Sequence, residues 1–355
     1  MIAAHHPIQR PPQAKLLVVD SNRHIGHARR SGFVDFLRPN DLVIANDAAT
    51  LPASLQGFHI RTGLPIEVRL AGRPSLRPED VRRFNAVVFG EGDFHIRTED
   101  RRPPPELAAG DGIVLGPLRA TVERLLGHSR RLSLLFDGSA DEVWAGLAHH
   151  GRPIQYAHID SPLALWDVWT RIAGQPVAFE PPSAGFILDW HLFAAMRKRG
   201  ADFATLTLAA GISSTGDAEL DRLLPFDEPY RIPVTTALKI CRAHARGGRI
   251  IAVGTSVVRA LEHAARENNQ VRSGEGLTTE HLGAQSKLKV VDAILSGTHE
   301  PGTSHYQLLR AFLDDATLSR ATDELDKAGY YTHEFGDSVL IERVMTVTVP
   351  SGVGA

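Results

Sequence analysis

Short uninterrupted apolar runs, followed by amphipathic stretches, dominate both ends of this chain. Lys15–Asp20 and Asp41–Ala45 read as strands, and Ile250-Ile-Ala-Val253 is an apolar run suited to a strand covered on both faces. Gly254 ends that run with a tight turn. Thr255 or Ser256 then supplies an N-cap for a helix predicted over Val257–Asn268. The spacing predicts a helix over Asp189–Arg199, with Leu192, Phe193 and Met196 on one face and Gly200 at its C-terminus. Val234–Arg246, His305–Leu313 and Leu318–Ala328 are also helical in pattern, and Ser139 with Glu142 forms a capping box ahead of Val143 and Trp144. Ala204–Leu208 reads as a strand, Ser338–Val349 as two strands, and Lys287–Leu295 fits strand or helix.

The texture changes between residues 60 and 137. Ile66–Leu70, Ala86–Phe89, Phe94–Arg97, Ile113–Leu115, Ala120–Glu123 and Leu132–Phe136 are short, punctuated by Gly, Pro and Asp, and several alternate in polarity. Such spacing predicts a small β-barrel or sandwich. The expected fold is therefore α/β. A mixed α/β main domain, built from residues 1–59 and 138–355, carries an inserted small β-barrel domain at 60–137.

Composition narrows the function classes. With 355 residues, 43% hydrophobic, the chain can bury a large core in two domains. A net charge of −2 gives no overall field toward nucleic acid, so a polyanion partner needs a local basic patch. The pairs Arg82-Arg83, Arg101-Arg102 and Arg130-Arg131 all fall in the inserted segment; they are either that patch or solvated strand ends. Cys241 is the one cysteine, expected in the core beside Leu238 and Ile240. It excludes an intramolecular disulfide and a cysteine zinc cluster, which fits a reducing cytoplasm. No apolar run approaches the roughly 20 residues of a membrane helix, and residues 1–13 lack the apolar centre of a signal peptide. His299 and His305 could share a site, but their spacing is not a zinc spacing and no metal is expected.

Five segments in order carry a resemblance. They are Asp41-Leu-Val-Ile-Ala-Asn-Asp47 with Leu51-Pro-Ala53; Pro182-Ser-Ala-Gly185; Ile250-Ile-Ala-Val-Gly-Thr255 with Arg259 and Glu262; Lys289-Val-Val-Asp292 with His299 and Pro301; and Phe335-Gly-Asp337. Together they resemble the S-adenosylmethionine:tRNA ribosyltransferase-isomerase family of queuosine biosynthesis over almost the whole chain. The resemblance implies an α/β domain with an inserted barrel. It also implies a transferase that moves and isomerises the ribosyl group of S-adenosylmethionine onto 7-aminomethyl-7-deazaguanine in tRNA, giving epoxyqueuosine. S-adenosylmethionine is then a substrate; no cofactor and no metal are implied, and the partners are S-adenosylmethionine and tRNA.

That chemistry needs a base for the 5′ carbon beside the sulfonium, an acid for the departing adenine, and groups for the methionine carboxylate and ammonium. By position, the catalytic candidates are His299, Asp292, Glu262 and Asp47. The substrate-binding candidates are Asn46, Ser183, Ala184, Gly185, Gly254, Thr255, Ser256, Arg259, Glu228 and Asp337. A helix terminus at Gly254–Ser256 attracts a carboxylate, and Arg259 adds charge one turn later. The chain departs from the family at Ala48, Ala49, Ser54, Phe186–Leu188, Ala209, Leu223, Phe226 and Gly302, where the family gathers histidines, arginines and a lysine. The alternative reading is therefore a diverged paralogue that keeps the pocket and uses another acceptor, or a ligand-binding protein without catalysis.

Overall fold

A computed structural model describes residues 1–344. A nine-stranded mixed sheet forms the main body. Its order is Gly274–Thr278, Glu228–Ile232, Asp202–Leu208, Leu42–Asn46, Ile250–Val253, Ala293–Gly297, Ser338–Glu342, Lys15–Val19 and Ile25–Arg29. The four strands from Asp202–Leu208 to Ala293–Gly297 are mutually parallel, with Val43 and Ala45 in register with Ile251 and Val253. Every residue of Leu42–Asn46 and Ile250–Val253 is buried, as continuous apolar runs require when both faces are covered. Ile44 and Ala252 face one core with helices Val234–Ala245, Thr255–Ala264 and Asp315–Lys327. Val43, Ala45, Ile251 and Val253 face the other, against helix Trp190–Arg199.

Local signals set several boundaries. Asp189 accepts from the Leu192 amide and Gly200 closes the same helix in the left-handed conformation. Ser139 and Glu142 make the reciprocal capping box. Ala293–Gly297 resolves the ambiguous Lys287–Leu295 segment as irregular chain followed by a strand. Of the two strands expected in Ser338–Val349, Ser338–Glu342 forms and the remainder lies largely outside the described residues.

The β-rich segment closes into a six-stranded barrel in the order Leu118–His128, Arg131–Phe136, Arg83–Phe89, Pro65–Gly72, Ser54–His59 and Gly112–Leu115. It begins at Ser54, ahead of the expected start at residue 60, because Gln56 and Gly57 interrupt the alternation of that first strand. Gly57 is required there: an added Cβ would sit on the Val114 carbonyl oxygen of the neighbouring strand. Phe94–Arg97 is not a strand. The Asp93 carboxylate takes the His95 amide at 2.9 Å and turns the chain. Cys241 is exposed rather than in the core, because it lies one residue beyond the buried Ile240 and the helix rotates it away. No helix among the described residues is long and apolar enough to cross a membrane.

The amino ends of the parallel strands are locked by charge. The Arg249 guanidinium donates to Asp41 Oδ1 at 3.2 Å and Oδ2 at 2.6 Å and also pairs with Glu342. Arg249→Ala leaves buried Asp41 without its guanidinium and Glu342 with the more exposed Arg38 alone, so it should cost about 3 kcal/mol in urea unfolding. Because this lock lies at the strand ends away from the cavity described next, ligand affinity should stay unchanged.

Candidate functional site

A cavity of about 690 Å³ opens at the carboxyl ends of the parallel strands, where open α/β sheets bind ligands. Its walls come from the segments leaving three of those strands. Ala210–Ser213 follows Asp202–Leu208, Gly254–Ser256 follows Ile250–Val253, and Ser296–His299 ends Ala293–Gly297. Val253 pairs with Leu295, so the glycine turn and the histidine loop are neighbours by sheet register. Ser183 and Ala184 line the same space.

Gly254 adopts φ +94°, a conformation that favours glycine, and is itself the N-cap of the helix Thr255–Ala264. The expected cap, Thr255 or Ser256, is not formed; both are instead the first two helical residues, and no side chain caps this end. The free N–H groups of that terminus therefore belong to residues that line the cavity. Arg259, one turn on, does not offer a free charge. Its guanidinium pairs with Glu228, whose Oε1 also takes the Gly211 amide at 2.7 Å. Burial pushes the Glu228 carboxyl up, against the pull of Arg259.

His299 and His305 meet in the cavity wall. Their rings stack with centroids 4.6 Å apart and 12° between planes, and His299 Nε2 shares a hydrogen bond with Ser296 Oγ at 2.9 Å. Gly302 makes the intervening turn at φ +93°, and Thr303 caps the short helix that carries His305. Burial drives the His299 imidazole well below its usual value, and holds His305 down at about 4. Both rings are therefore neutral at physiological pH.

The sequence reading missed Glu180. It lines the cavity, and its Oε1 accepts from the Tyr156 hydroxyl and from the Ser213 amide at 3.1 Å. The one signal was a lone carboxylate in the apolar run Val177-Ala-Phe-Glu-Pro-Pro182. Burial pushes this carboxyl from 4.5 up to about 7. A carboxyl raised in the folded state contributes stability that is complete below its unfolded value and lost as pH climbs through the folded one. From the rise of 4.5 to about 7, Glu180→Gln should remove about 3 kcal/mol of pH-dependent stability across that window, so urea unfolding of the variant is flatter with pH.

The other candidates lie outside the cavity lining, and each is occupied structurally. Asn46 bridges the Ala48 and Leu208 backbones, and Asp47 takes the Thr207 hydroxyl at 2.7 Å. Glu262 accepts three successive amides from Lys289, Val290 and Val291 at 2.7–3.0 Å. Asp292 holds the Ile250 amide and Arg343 at the opposite strand end. Asp337 accepts from the Lys15 and Tyr331 amides, and Gly185 is buried in a single helical turn beside Phe186. Most of the diarginine side chains have partners of their own. Arg101 is buried against Glu67, Arg83 pairs with Glu123 and Arg102 with Glu91, while Arg130 and Arg131 lie over Phe89 and Phe226. A second polar cluster joins His158, His333 and Glu334, with candidate ligand atoms within 4.8 Å of one another. The His158 and His333 rings stack at 4.1 Å and 17°, and His158 Nε2 lies 3.1 Å from Glu334 Oε2.

The sequence profile of the queuosine biosynthesis protein family matches residues 1–341. The chain belongs to that family. Among its queuosine-family relatives, the S-adenosylmethionine:tRNA ribosyltransferase-isomerase of Thermosynechococcus vestitus is 30% identical over 95% of this chain and 92% of its own length. That of Rhizobium rhizogenes is also 30% identical, over 96% and 95%. A solved S-adenosylmethionine tRNA ribosyltransferase from Thermotoga maritima shares the fold at a TM-score of 0.50 and 22% identity, covering 96% of both chains.

Proposed function

We propose that this queuosine-family enzyme binds S-adenosylmethionine in the strand-end cavity and transfers its ribosyl group to 7-aminomethyl-7-deazaguanine in tRNA. One observation carries the reading: the Gly254 turn and the His299 loop converge on a single cavity of about 690 Å³, a size suited to a nucleoside-bearing ligand. In this reading the amides at Thr255 and Ser256 hold the methionine carboxylate. The neutral His299, backed by Ser296 and His305, takes the proton from the 5′ carbon. Phe186, Leu223 and Phe226 do not line the cavity, which argues against a pocket plugged by apolar replacements. A second reading, with a small-molecule acceptor in place of tRNA, draws support from the pairing of Arg83, Arg101 and Arg102 with carboxylates.

The test is adenine release. S-adenosylmethionine is incubated with the protein, with and without precursor-modified tRNA. Release that requires tRNA supports the main reading, and release without tRNA supports the second. No release under either condition, with no calorimetric binding of S-adenosylmethionine, removes both.

A further inference from the structure

Glu180 has no place in the family motifs quoted above, yet among the described residues it is the one buried carboxyl of the cavity wall that lacks a cationic partner. Glu228, the other buried carboxylate there, is neutralised by Arg259. The two histidines are held as neutral imidazoles, whose remaining N–H is a far weaker acid than a carboxyl. Glu180 differs in its surroundings: both direct hydrogen bonds, from Tyr156 and the Ser213 amide, fall on Oε1. Those donors oppose burial and the neighbouring Glu334 carboxylate, both of which push the Glu180 carboxyl up. The donors stabilise the carboxylate that forms once a proton has left, while Oε2 carries neither bond. Environments that separate the proton affinities of two groups in one site assign the acid and the base. His299 and Glu180 line the same cavity, and among the described residues no donor reaches Glu180 Oε2.

We propose that Glu180 is the general acid that protonates adenine as it departs, an assignment that rests on the ribosyl-transfer reading above. The C1′–N9 bond breaks and its electron pair moves onto the purine. The Glu180 O–H bond breaks and its proton passes to a purine ring nitrogen, so neutral adenine leaves. The acceptor's aminomethyl nitrogen supplies the pair for the new C1′–N bond. The proton shed by that nitrogen restores the Glu180 carboxyl. Tyr156 and Ser213 are positioning residues: they fix the carboxyl plane and hold its transient negative charge.

The test uses the full chain with S-adenosylmethionine and precursor-modified tRNA. Glu180→Gln should bind S-adenosylmethionine within about threefold of the parent yet release adenine about 100-fold more slowly or worse, the lower range for lost acid catalysis. In D2O it should still incorporate deuterium at the 5′ carbon, because that step belongs to His299. The parent's release rate should fall as pH rises past about 7, and that limb should vanish in the variant. A 2-fluoroadenine analogue, whose base leaves without as much help, should shrink the deficit. Glu180→Asp, which keeps an acid, should recover part of the rate. An active parent whose Glu180→Gln variant releases adenine within about threefold, with the same pH profile, overturns the assignment and leaves the ribosyl-transfer reading standing. So does a variant that loses ligand binding and is not restored by Glu180→Asp, since the role is then structural. A parent that releases no adenine overturns the ribosyl-transfer reading itself.

Discussion

Arg259→Ala is expected to lower the unfolding free energy by about 3–5 kcal/mol at neutral pH, the cost of leaving a buried charge without its partner. The partner is Glu228, at the inner end of the cavity, where Gly211 is the remaining direct donor. The pH dependence follows from sign. The Glu228 carboxyl is already raised above its ordinary 4.5 with Arg259 in place, and without the guanidinium it rises further. A raised carboxyl favours the fold when protonated, so the stability deficit should be small near pH 4.5 and grow toward neutrality. Urea unfolding at a series of pH values reads this directly. A double change, Arg259→Met with Glu228→Gln, removes both charges and should restore most of the loss, which a double-mutant cycle reports as coupling. A deficit that is independent of pH and additive in the double variant would show that the pair does not act as a buried ion pair. Arg259→Lys should fall between, because an ammonium keeps the charge but not the fork that also reaches the Phe226 carbonyl.

The main sheet was legible because its signals are local. Continuous apolar runs at Leu42–Asn46 and Ile250–Val253 announce strands buried on two faces, and the caps at Asp189, Gly200 and Ser139 need contacts only within one turn. The glycine turn and the histidine loop were legible as neighbours for the same reason: parallel βα units bring successive strand ends to one edge. What was not legible depends on partners distant in sequence. Asp292, Glu262 and Asp337 stand in motif positions, yet their oxygens are committed to backbone amides and to Arg343, which no spacing rule reveals. Arg101 looks like half of a basic pair until Glu67, 34 residues earlier, buries it. Glu180 needs Tyr156 and Ser213, 24 and 33 positions away, before its carboxyl means anything. The strand Ser54–His59 escaped because its pairing is set by the close approach of Gly57 to Val114, not by its own alternation.

His299→Ala should reduce adenine release by about 10²–10⁴-fold, the range for loss of a positioned acid–base group, while leaving the unfolding midpoint almost unmoved. The fold should tolerate the change because the ring borders open cavity, and its removal leaves no charge behind: the imidazole is neutral in the parent. The environment also predicts an unusual acid limb. Burial and the neighbouring His305 and His333 drive the His299 value well below 6.5, so a rate that needs the neutral ring should not decline through pH 6.5. It should persist until the solution is considerably more acidic. Ser296→Ala frees His299 Nε2 from its hydroxyl partner and should lower the rate less than ring removal, by about the worth of one hydrogen bond, roughly tenfold. His305→Phe keeps a stacked ring without a second nitrogen; it should preserve most of the rate if stacking orients His299, and abolish it if the two imidazoles pass a proton between them. Full activity in His299→Ala would take the residue out of the mechanism. A midpoint that falls together with the rate would instead make the stacked pair a structural wall of the cavity.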